Sequence, residues 1–466
     1  MIRLNDVLEG TGGTLHGVEA SDQLFGRVIH DSRLVEPGDL FVALHGEFMD
    51  GHDFIPAALE AGAGGALVAD NWLQAQDGRD FSTAIIAVPD TLAALHRLAG
   101  YWRSLFDVRL IGITGSIGKS STKEVVAAVA GAKFNVLKSA GSYNNEVGLP
   151  VSLLQLTPDT EVAVLEMGGA YRFGEITELA EIARPDIGVV TIVTHSHLSR
   201  MGSLEAIAQT KVELVRSIPE DGLVLLNADD PRVLAMADQA VGRVMTYGLA
   251  EDADLRASDV VGLGSEGIRF TLTCEGVEHR ITVPLLGRHS VHMTLVGIGV
   301  GLELGMELPE ILNGFESPEV QLRLILTPAF NGATILDDHY NANPASSNAA
   351  LTLLEDLDAT RRIAVFGDML ELGEFEEEGH RIVGRRVAEV ADALFTVGER
   401  ARYIHEEFRA LRPDLVARHF DTKEALTDGL REVMTGGDLI LVKGSRGVQM
   451  ETVIQALRVR DADEVE

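Results

Sequence analysis

Short apolar runs recur along the chain without alternating with polar residues. In the middle of the chain these runs are VRLIGITG, EVAVLEMGG, DIGVVTIVTH and GLVLLNADD. Unbroken apolar runs of this kind are typical of strands buried on both faces of a parallel sheet. Segments with a helical pattern, such as SLEAIAQTKVELVRSI, lie between the runs. The pattern therefore predicts an α/β fold with parallel sheets.

The same pattern divides the chain into three stretches. Residues 1–105 contain short strands, such as DLFVALHG and STAIIAVPD, separated by Gly and Pro turns. Residues 106–318 contain the runs quoted above, and residues 319–466 repeat the alternation in ATILDDHYN, RRIAVFGDM, ADALFTVGE and DLILVKGSR. We expect three domains: a small N-terminal α/β domain, a central parallel-sheet domain and a smaller C-terminal α/β domain.

Composition excludes several classes of protein. The chain has 466 residues, a formal net charge of −32 and one cysteine, Cys274. The acidic balance argues against a nucleic-acid-binding surface, which needs clustered Lys and Arg. No apolar run is long enough to span a membrane, and the start, MIRLNDVLEGTGG, lacks a signal-peptide pattern. A lone cysteine fits a reducing compartment, so we expect a cytoplasmic protein.

Polar side chains follow the apolar runs, where ligands bind in sheets of this kind. They are Thr114, Glu166, His195, His197, Asn227, Asp337, Asp338, Asp368 and Lys443. Because so many of them fall at predicted strand ends, we expect a site along one edge of each of the two larger sheets.

One of these strand ends is a phosphate-binding loop, ITGSIGKSSTKE at residues 113–124. The common spacing GxxxxGK[ST] needs Gly where this chain has Ile113. Gly115 and Gly118 still permit a tight turn whose amides face phosphate oxygens, Lys119 can reach the terminal phosphates, and Ser120 can bind Mg²⁺. The alternative is a plain Gly-rich turn, but a strand before it and a helix after it favour nucleotide binding.

Glu166 and the two histidines are candidate metal ligands. A carboxylate at a strand end beside a phosphate loop can hold a metal ion, although a strand-end Glu by itself is more often a capping or ion-pairing residue. His195 and His197 stand two residues apart on a loop, and at least one of them could bind metal. The alternative for both is an ordinary polar loop residue.

The whole chain resembles the Mur ligases. The matching segments are DSRLVEPGDLFVALHGEFMDGHDFI, TGSIGKSSTKE, NNEVGLP, LEMGG, HLSRMGSLEAIAQTKVELV, LNADDPRV, GRHS, LDDHYNANP, GDMLELGE and VKGSRGVQME. GDMLELGE and KGSRGVQME resemble the family members that add D-alanyl-D-alanine. The family's phosphate loop is the short one, which accounts for Ile113.

The resemblance implies three domains: the first binds the UDP end of the substrate, the central one is a P-loop domain that binds ATP, and the third is Rossmann-like and closes the site. The implied reaction is addition of D-alanyl-D-alanine to UDP-N-acetylmuramoyl-tripeptide through an acyl phosphate, with release of ADP. The implied cofactors are ATP, Mg²⁺ and a carbamylated lysine at Lys211. We expect a monomer without a nucleic-acid partner.

The resemblance also assigns residues. Lys119, His197 and Lys211 are expected to be catalytic. Nucleotide is expected at Thr114, Gly115, Ser116, Gly118, Lys119, Ser120, Ser121, Arg288, Asp338, Tyr340 and Asn343. Metal is expected at Ser120, Glu166, His197 and carbamylated Lys211. Substrate is expected at Ser32, Arg33, Asn144, Asn145, Lys443, Ser445 and Arg446. Without the resemblance, Lys211 would be interpreted as a solvated helix lysine, and Arg446 as part of a surface ion pair.

The sequence departs from the family pattern at three positions. Ser290 and Met293 replace asparagines that help to seat the nucleotide, and Gln321 replaces an arginine that contacts ATP phosphates, with Arg323 as a possible substitute. These changes support one alternative, a non-catalytic relative that binds nucleotide or precursor. A second alternative is another ligase of the superfamily, such as the one that adds the third peptide residue or folylpolyglutamate synthase. The third-residue ligase often carries DNPR, and that string is absent from this chain.

Overall fold

The computed structural model describes residues 1–17, 23–46, 48–76, 80–169, 172–195, 198–317, 320 and 325–459. Within these ranges the strands form three larger sheets and one two-stranded ribbon. The sheets follow one another along the chain, and the predicted three-domain α/β architecture is confirmed. The predicted boundaries after residues 105 and 318 stay predictions.

The N-terminal domain has a five-stranded sheet in the order β2-β7-β6-β5-β4, in which only β2 is antiparallel to its neighbour. Its elements are β1 (Ile2–Arg3), α1 (Leu4–Thr11), β2 (Thr14–His16), β3 (Leu24–Phe25), β4 (Val28–Ile29), β5 (Leu40–Val42), α2 (Ile55–Glu60), β6 (Gly65–Ala69), α3 (Asp70–Gln74), β7 (Ala84–Val88) and α4 (Thr91–Ser104). Helix α4 begins where the Asp90 carboxylate accepts a hydrogen bond from the Ala93 amide at 2.9 Å.

The central domain has a nine-stranded sheet in the order β16-β15-β14-β13-β12-β11-β8-β10-β9. Its elements are β8 (Arg109–Thr114), α5 (Lys119–Gly131), β9 (Val136–Lys138), α6 (Gly148–Leu153), β10 (Val162–Glu166), α7 (Glu175–Ala183), β11 (Ile187–Val190), α8 (Leu198–Met201), α9 (Leu204–Ser217), β12 (Leu223–Asn227), α10 (Pro231–Leu234), β13 (Arg243–Gly248), β14 (Leu255–Gly262), β15 (Ile268–Cys274), β16 (Val277–Val283), α11 (Ser290–Glu303) and α12 (Leu308–Gly314).

The parallel part of this sheet runs from β9 to β14 and contains the four apolar runs predicted from the sequence. The antiparallel extension β14-β15-β16 was not predicted. Its strands alternate between buried and more exposed residues, as in β15, so one face is less covered and the apolar pattern is weaker. The prediction of a wholly parallel central sheet is therefore corrected at this edge.

The C-terminal domain has a six-stranded sheet in the order β17-β18-β22-β19-β20-β21, with only β17 antiparallel. Its elements are β17 (Ile325–Pro328), β18 (Thr334–Asp338), α13 (Pro344–Asp356), β19 (Arg361–Phe366), α14 (Glu376–Val390), β20 (Ala393–Val397), α15 (Arg402–Leu411), β21 (Val416–Phe420), α16 (Lys423–Arg431), β22 (Asp438–Lys443) and α17 (Glu451–Leu457). Two separate apolar clusters are buried in this domain, as expected for a parallel sheet covered by helices on both faces.

Helix α4 joins the first two domains through a shared apolar core. Its residues Leu95, Leu98 and Trp102 are buried in the same cluster as Leu153 and Leu179 of the central domain. The Trp102 indole also donates a hydrogen bond to the Leu156 carbonyl at 3.1 Å.

No helix in the described ranges is long and apolar enough to cross a membrane.

Candidate active site

A cavity of about 1050 Å³ lies between the central and C-terminal domains, at the carboxyl ends of their parallel strands. The residues predicted as site residues that line it are Ser116, Gly118, Lys119, Ser120, Ser121, Asn144, Glu166, Asp338, Tyr340, Asn343, Lys443, Ser445 and Arg446. The two sheets thus bring residues that are far apart in sequence to one cavity, where a nucleotide would fit by size.

The loop between β8 and α5 forms one wall of the cavity. Gly115 has φ +140° and Gly118, which precedes α5, has φ +81°, conformations that favour glycine. A Cβ atom on Gly115 would lie 1.9 Å from the Thr191 Oγ1 atom. The Ser116 amide donates to the Ile192 carbonyl at 2.7 Å, which ties the loop to the end of β11. The N-terminus of α5 therefore opens toward the cavity, where its amides can bind an anion.

Lys119 is the cation of this loop. Its Nζ atom donates to the carbonyls of Gly115 at 2.8 Å and Ser116 at 3.3 Å, so the side chain folds back over the turn while it lines the cavity. This arrangement holds a positive charge beside the amides of the turn. An anionic group bound over the loop would interact with both the Lys119 cation and the backbone amides.

Glu166, at the end of β10, is held by two side chains from different segments. The Ser120 hydroxyl donates to its Oε2 atom at 2.6 Å, and the Asn144 amide donates to Oε1 at 2.7 Å. The Glu166 residue is only 2% exposed, so its two carboxylate oxygens are fixed in direction. A hydroxyl and a carboxylate beside a phosphate loop form a suitable donor set for Mg²⁺, which commonly binds one or two carboxylates together with phosphate oxygens.

His197, the third predicted protein ligand of this metal, lies outside the described residues. In the described part of the chain, no group of three or more His, Cys, Asp and Glu side chains could hold a metal by itself. The fit to Mg²⁺ therefore rests on Ser120 and Glu166, together with oxygens that a bound nucleotide would bring. His195 stacks on Phe375 of the C-terminal domain, with ring centroids 4.4 Å apart.

Lys211 in α9 is buried, with 3% of its surface exposed, so the interpretation as a solvated helix lysine is wrong. Its amine donates to the carbonyls of Gly168, at 3.2 Å, and Gly169. Burial, assisted by the nearby Lys119 cation, lowers the pKa of Lys211 to about 7, against the opposing effect of Glu175 and Glu213. A large fraction of the amine is thus neutral at neutral pH.

On the C-terminal side, Lys443 and Ser445 fix the backbone around the cavity. The Lys443 amine donates to the Asp338 carboxylate at 2.5 Å and to the Asn341 carbonyl at 2.8 Å. The Ser445 hydroxyl accepts from the Leu370 amide at 2.8 Å and donates to the Ala342 carbonyl at 3.2 Å. Asn343 caps α13 through its hydrogen bond with the Ser346 amide at 2.9 Å.

Tyr340 and Arg446 contact the central domain directly. The Tyr340 hydroxyl donates to Ser142 Oγ at 2.7 Å, and the Arg446 guanidinium lies over the Tyr340 ring, 5.5 Å from its centroid. One guanidinium nitrogen of Arg446 is also 3.5 Å from Ser142 Oγ. Arg446 therefore lies at the domain boundary as part of the cavity wall, and the interpretation as a surface ion pair is wrong.

Several predicted residues lie away from the cavity lining. Thr114 is buried beneath the loop, where its hydroxyl donates to the Gly168 carbonyl at 3.3 Å. Arg288 pairs with Asp356 of the C-terminal domain at 2.8 Å. The Asn145 side chain accepts from the Gly148 amide at 2.9 Å, at the start of α6. Their ligand-binding roles stay predictions.

Ser32 and Arg33 belong to the N-terminal domain and form a short turn there. The Arg33 guanidinium pairs with both carboxylate oxygens of Asp31, at 2.9 and 2.6 Å, and these hydrogen bonds lower the pKa of Asp31 to about 2. The predicted substrate role of Ser32 and Arg33 stays a prediction.

Sequence reasoning missed a histidine–aspartate pair on the cavity wall. His292 Nε2 lies 2.7 Å from Asp229 Oδ2, and the Asp229 carboxylate also accepts from the amides of Leu249 and Ala250 at 2.9 Å. Asp229 follows β12 in the segment LNADDPRV, so its position just after a predicted strand could have marked it as a candidate site residue. His292 lies in the first turn of α11, away from any strand end, so no pattern in the sequence marked it as a site residue.

Of the three departures from the family pattern, two can be located. Met293 lines the cavity and Ser290 is buried, with its hydroxyl donating to the Leu286 carbonyl. Gln321 and Arg323 lie outside the described residues. His289, also in the cavity wall, is half-buried, and desolvation together with the neighbouring His292 and Lys443 lowers its pKa to about 4.

Three family models match consecutive parts of the chain. They are the Mur ligase family catalytic domain over residues 26–103, the Mur ligase middle domain over residues 113–301, and the Mur ligase glutamate ligase domain over residues 322–446.

Similar proteins match over nearly the whole chain. The UDP-N-acetylmuramoyl-tripeptide–D-alanyl-D-alanine ligase of Bacillus subtilis is 35% identical over 458 residues, which cover 97% of this chain and 98% of that protein. A crystal structure of MurF from Acinetobacter baumannii has a TM-score of 0.85 at 27% identity, covering 97% of this chain and 98% of that one. The MurF ligase of Thermotoga maritima in complex with ADP has a TM-score of 0.78 at 27% identity, covering 94% and 98%.

The phosphate loop allows a direct test of its backbone. Gly115→Ala should destabilise the protein by about 1–3 kcal/mol, because alanine disfavours φ +140° and its Cβ would clash with Thr191. The measurement is the free energy of unfolding in urea. Gly131→Ala is the matched control, since it lies at the end of the helix that follows the loop and its added methyl group would have no atom within 4 Å. Equal stability of the two variants would contradict the assigned loop conformation.

Proposed function

We propose a specific reaction for this chain, which belongs to the Mur ligase family: the ATP-dependent joining of D-alanyl-D-alanine to UDP-N-acetylmuramoyl-tripeptide, with release of ADP and phosphate, in peptidoglycan precursor synthesis. The observation that carries the proposal is the single cavity that unites the phosphate loop with Lys443 and Arg446. The full-length similarity to ligases that bear this name supports the choice of substrates. The lone Cys274 fits a cytoplasmic site of action.

The first step is activation of the tripeptide's terminal carboxylate. One carboxylate oxygen attacks the γ-phosphorus of ATP, the bond to the β-phosphate oxygen breaks, and an acyl phosphate and ADP result. Negative charge develops on the transferring oxygens, and we assign its stabilisation to the amides of the loop and to the Lys119 cation, which lie on the same wall of the cavity. Ser120 and Glu166 would hold Mg²⁺, which supplies further positive charge at the phosphates.

The second step joins the dipeptide. The neutral amine of D-alanyl-D-alanine attacks the acyl carbon, the acyl carbon–oxygen bond breaks, phosphate leaves, and the amine proton passes to a base or to phosphate. Arg446 and Lys443 are the cations of the C-terminal wall, and we assign them to the dipeptide's carboxylate side of the cavity. Ser445 orients this wall through its hydrogen bonds to Leu370 and Ala342.

The C-terminal domain forms one wall of the cavity, and its Tyr340 reaches Ser142 of the central domain. Both walls are needed to enclose ATP and both peptide substrates, so closure completes the site and excludes water from the acyl phosphate. The UDP end of the precursor is assigned to the N-terminal domain near Ser32 and Arg33, by the resemblance of that segment to the family. Asn144 and Asn145 are assigned to the intervening cleft.

We also propose that Lys211 is carbamylated by carbon dioxide. Carbamylation needs a neutral amine, and the buried Lys211, beside the Lys119 cation, has a pKa of about 7. The carbamate would carry negative charge close to the Glu166 side of the site, where it could steady a second Mg²⁺. The two carbonyl acceptors of Lys211 hold the amine in place for this reaction.

The reaction can be tested by omitting each substrate in turn. ADP release should require both the UDP-linked tripeptide and D-alanyl-D-alanine, since closure over both substrates suppresses idle ATP hydrolysis. The measurement is ADP formation over time, with the ligated product detected by mass spectrometry. ADP formation at the same rate without the dipeptide, or no ADP with all substrates present, would favour the alternative of a non-catalytic nucleotide-binding relative.

Lys119→Ala should reduce turnover by about 100-fold or more, corresponding to about 3 kcal/mol of lost transition-state stabilisation. The fold should survive, because the Lys119 amine donates to two carbonyls of its own turn and these can bind water instead. Lys133→Ala is the matched control, since Lys133 forms a surface pair with Glu310 at 2.9 Å. Near-normal turnover of Lys119→Ala would refute the assigned role.

Carbamylation of Lys211 can be detected by ¹³C nuclear magnetic resonance, and this measurement does not depend on ligase activity. In ¹³C-bicarbonate, the wild-type protein should show a carbamate resonance that Lys211→Met lacks and Lys133→Ala retains. With a pKa of about 7, the neutral amine rises from about a tenth at pH 6 to about nine tenths at pH 8, so at a fixed concentration of dissolved carbon dioxide carbamate should form faster toward pH 8. Lys211→Ala should regain part of its activity with a short carboxylic acid. An identical resonance in Lys211→Met would contradict the modification.

A further inference from the structure

Lys123 in α5 is a fully buried charged residue, with no exposed surface, that the reaction above does not use. Its amine donates to the carbonyls of Ser139 at 2.6 Å and Gly141 at 2.7 Å, and lies 3.1 Å from the Glu124 carboxylate. Burying an amine is costly unless its donors are satisfied, and here three oxygens surround it. Among the described residues, Lys123 is not one that lines the cavity.

Both carbonyls that Lys123 binds belong to residues 139–144, which we call the bridging segment. Within it, Ser139 Oγ accepts from the Glu166 amide at 3.2 Å, and Asn144 donates to the Glu166 carboxylate at 2.7 Å. The Asn144 carbonyl accepts from the Gly168 amide at 2.7 Å. The segment therefore fixes the backbone and the side chain of the strand end that carries Glu166.

The bridging segment also makes the contact with the C-terminal domain. Its Ser142 accepts the hydrogen bond from Tyr340 at 2.7 Å. Ser120 and Lys123 are three residues apart on α5 and therefore lie on the same face of the helix. Ser120 binds the Glu166 carboxylate, and Lys123, one turn later, binds the bridging segment. A shift of that segment would disturb the carboxylate and the domain contact together.

We propose that Lys123 is a positioning residue for the ligase reaction, which holds the bridging segment in register with the phosphate-loop helix so that Glu166, Asn144 and Ser142 meet their partners. The inference rests on the proposed function. It assigns Lys123 no contact with substrate, because its amine faces backbone carbonyls and Glu124.

The test compares Lys123→Met with a matched control, Arg103→Met. Arg103 is also buried and donates to three carbonyls, those of Ala183, Phe106 and Val108, each at 3.0 Å, but it does not line the cavity. Both substitutions remove a buried cation from its carbonyl partners, so both should lower the melting temperature. Only the first should disturb the site.

For Lys123→Met we expect kcat to fall by roughly 10- to 100-fold, as a displacement of about 1 Å can produce, while KM for ATP changes little because Lys119 and the loop are intact. The half-saturating Mg²⁺ concentration should rise, since Glu166 is displaced. Arg103→Met should keep the wild-type kcat and Mg²⁺ dependence. Equal kinetic constants in the two variants, after correction for folded fraction, would overturn the inference.

Two further measurements separate this inference from the proposed function. Ser142→Ala combined with Lys123→Met should lower kcat by less than the product of the single effects, because the Ser142 contact is already displaced. Hydrogen exchange of amides in the bridging segment should be faster in Lys123→Met than in Arg103→Met, whether or not ligation occurs. If the amides of the bridging segment exchange equally fast in both variants, the positioning role of Lys123 is refuted. If they exchange faster in Lys123→Met but the wild-type protein has no ligase activity, only the proposed ligase reaction is refuted. Should Lys123→Met not fold, Lys123→Gln is measured with the same outcomes.

Discussion

The candidate site depends on the fixation of one carboxylate, that of Glu166. Ser120 from the phosphate-loop helix and Asn144 from the segment after β9 each donate to one of its oxygens, at 2.6 and 2.7 Å. These bonds join three separate segments of the chain at the end of β10. A buried carboxylate held in this way has a fixed position, and fixed charges are the condition under which electrostatic stabilisation of a transition state is strongest.

Cations and carboxylates both line the cavity, in a protein with a formal net charge of −32. Lys119, Lys443 and Arg446 line the cavity, and Lys211 is buried next to it. The overall negative charge repels anions at long range, but that repulsion is screened over about 10 Å at 0.1 M salt. Local cations therefore decide whether a phosphate binds. The pKa of Lys211 is lowered mainly by burial, with the Lys119 cation as a second cause.

The sequence predicted those features that depend on local pattern. The unbroken apolar strands, the helix after Gly118 and the phosphate loop were recognisable because each is set by consecutive residues. The burial of Lys211 was not, since a helix lysine is expected to be solvated until the packing of α9 against the sheet is known. The His292–Asp229 pair and the Lys123 contacts join residues far apart in sequence, and no single-residue signal encodes such distances. Strands β14–β16 were missed because one of their faces is less covered.

The two domain junctions differ in kind, and this difference bears on which domain can move. The N-terminal and central domains share an apolar core around α4, with Trp102 and Leu98 buried in it. The central and C-terminal domains meet at the cavity through polar contacts such as Tyr340–Ser142 and Arg288–Asp356, although Leu286 is buried with a C-terminal apolar cluster. Separating the first pair would expose apolar surface, whereas separating the second mainly exchanges hydrogen bonds for water. By this comparison, the junction between the central and C-terminal domains is the one that would cost less free energy to separate.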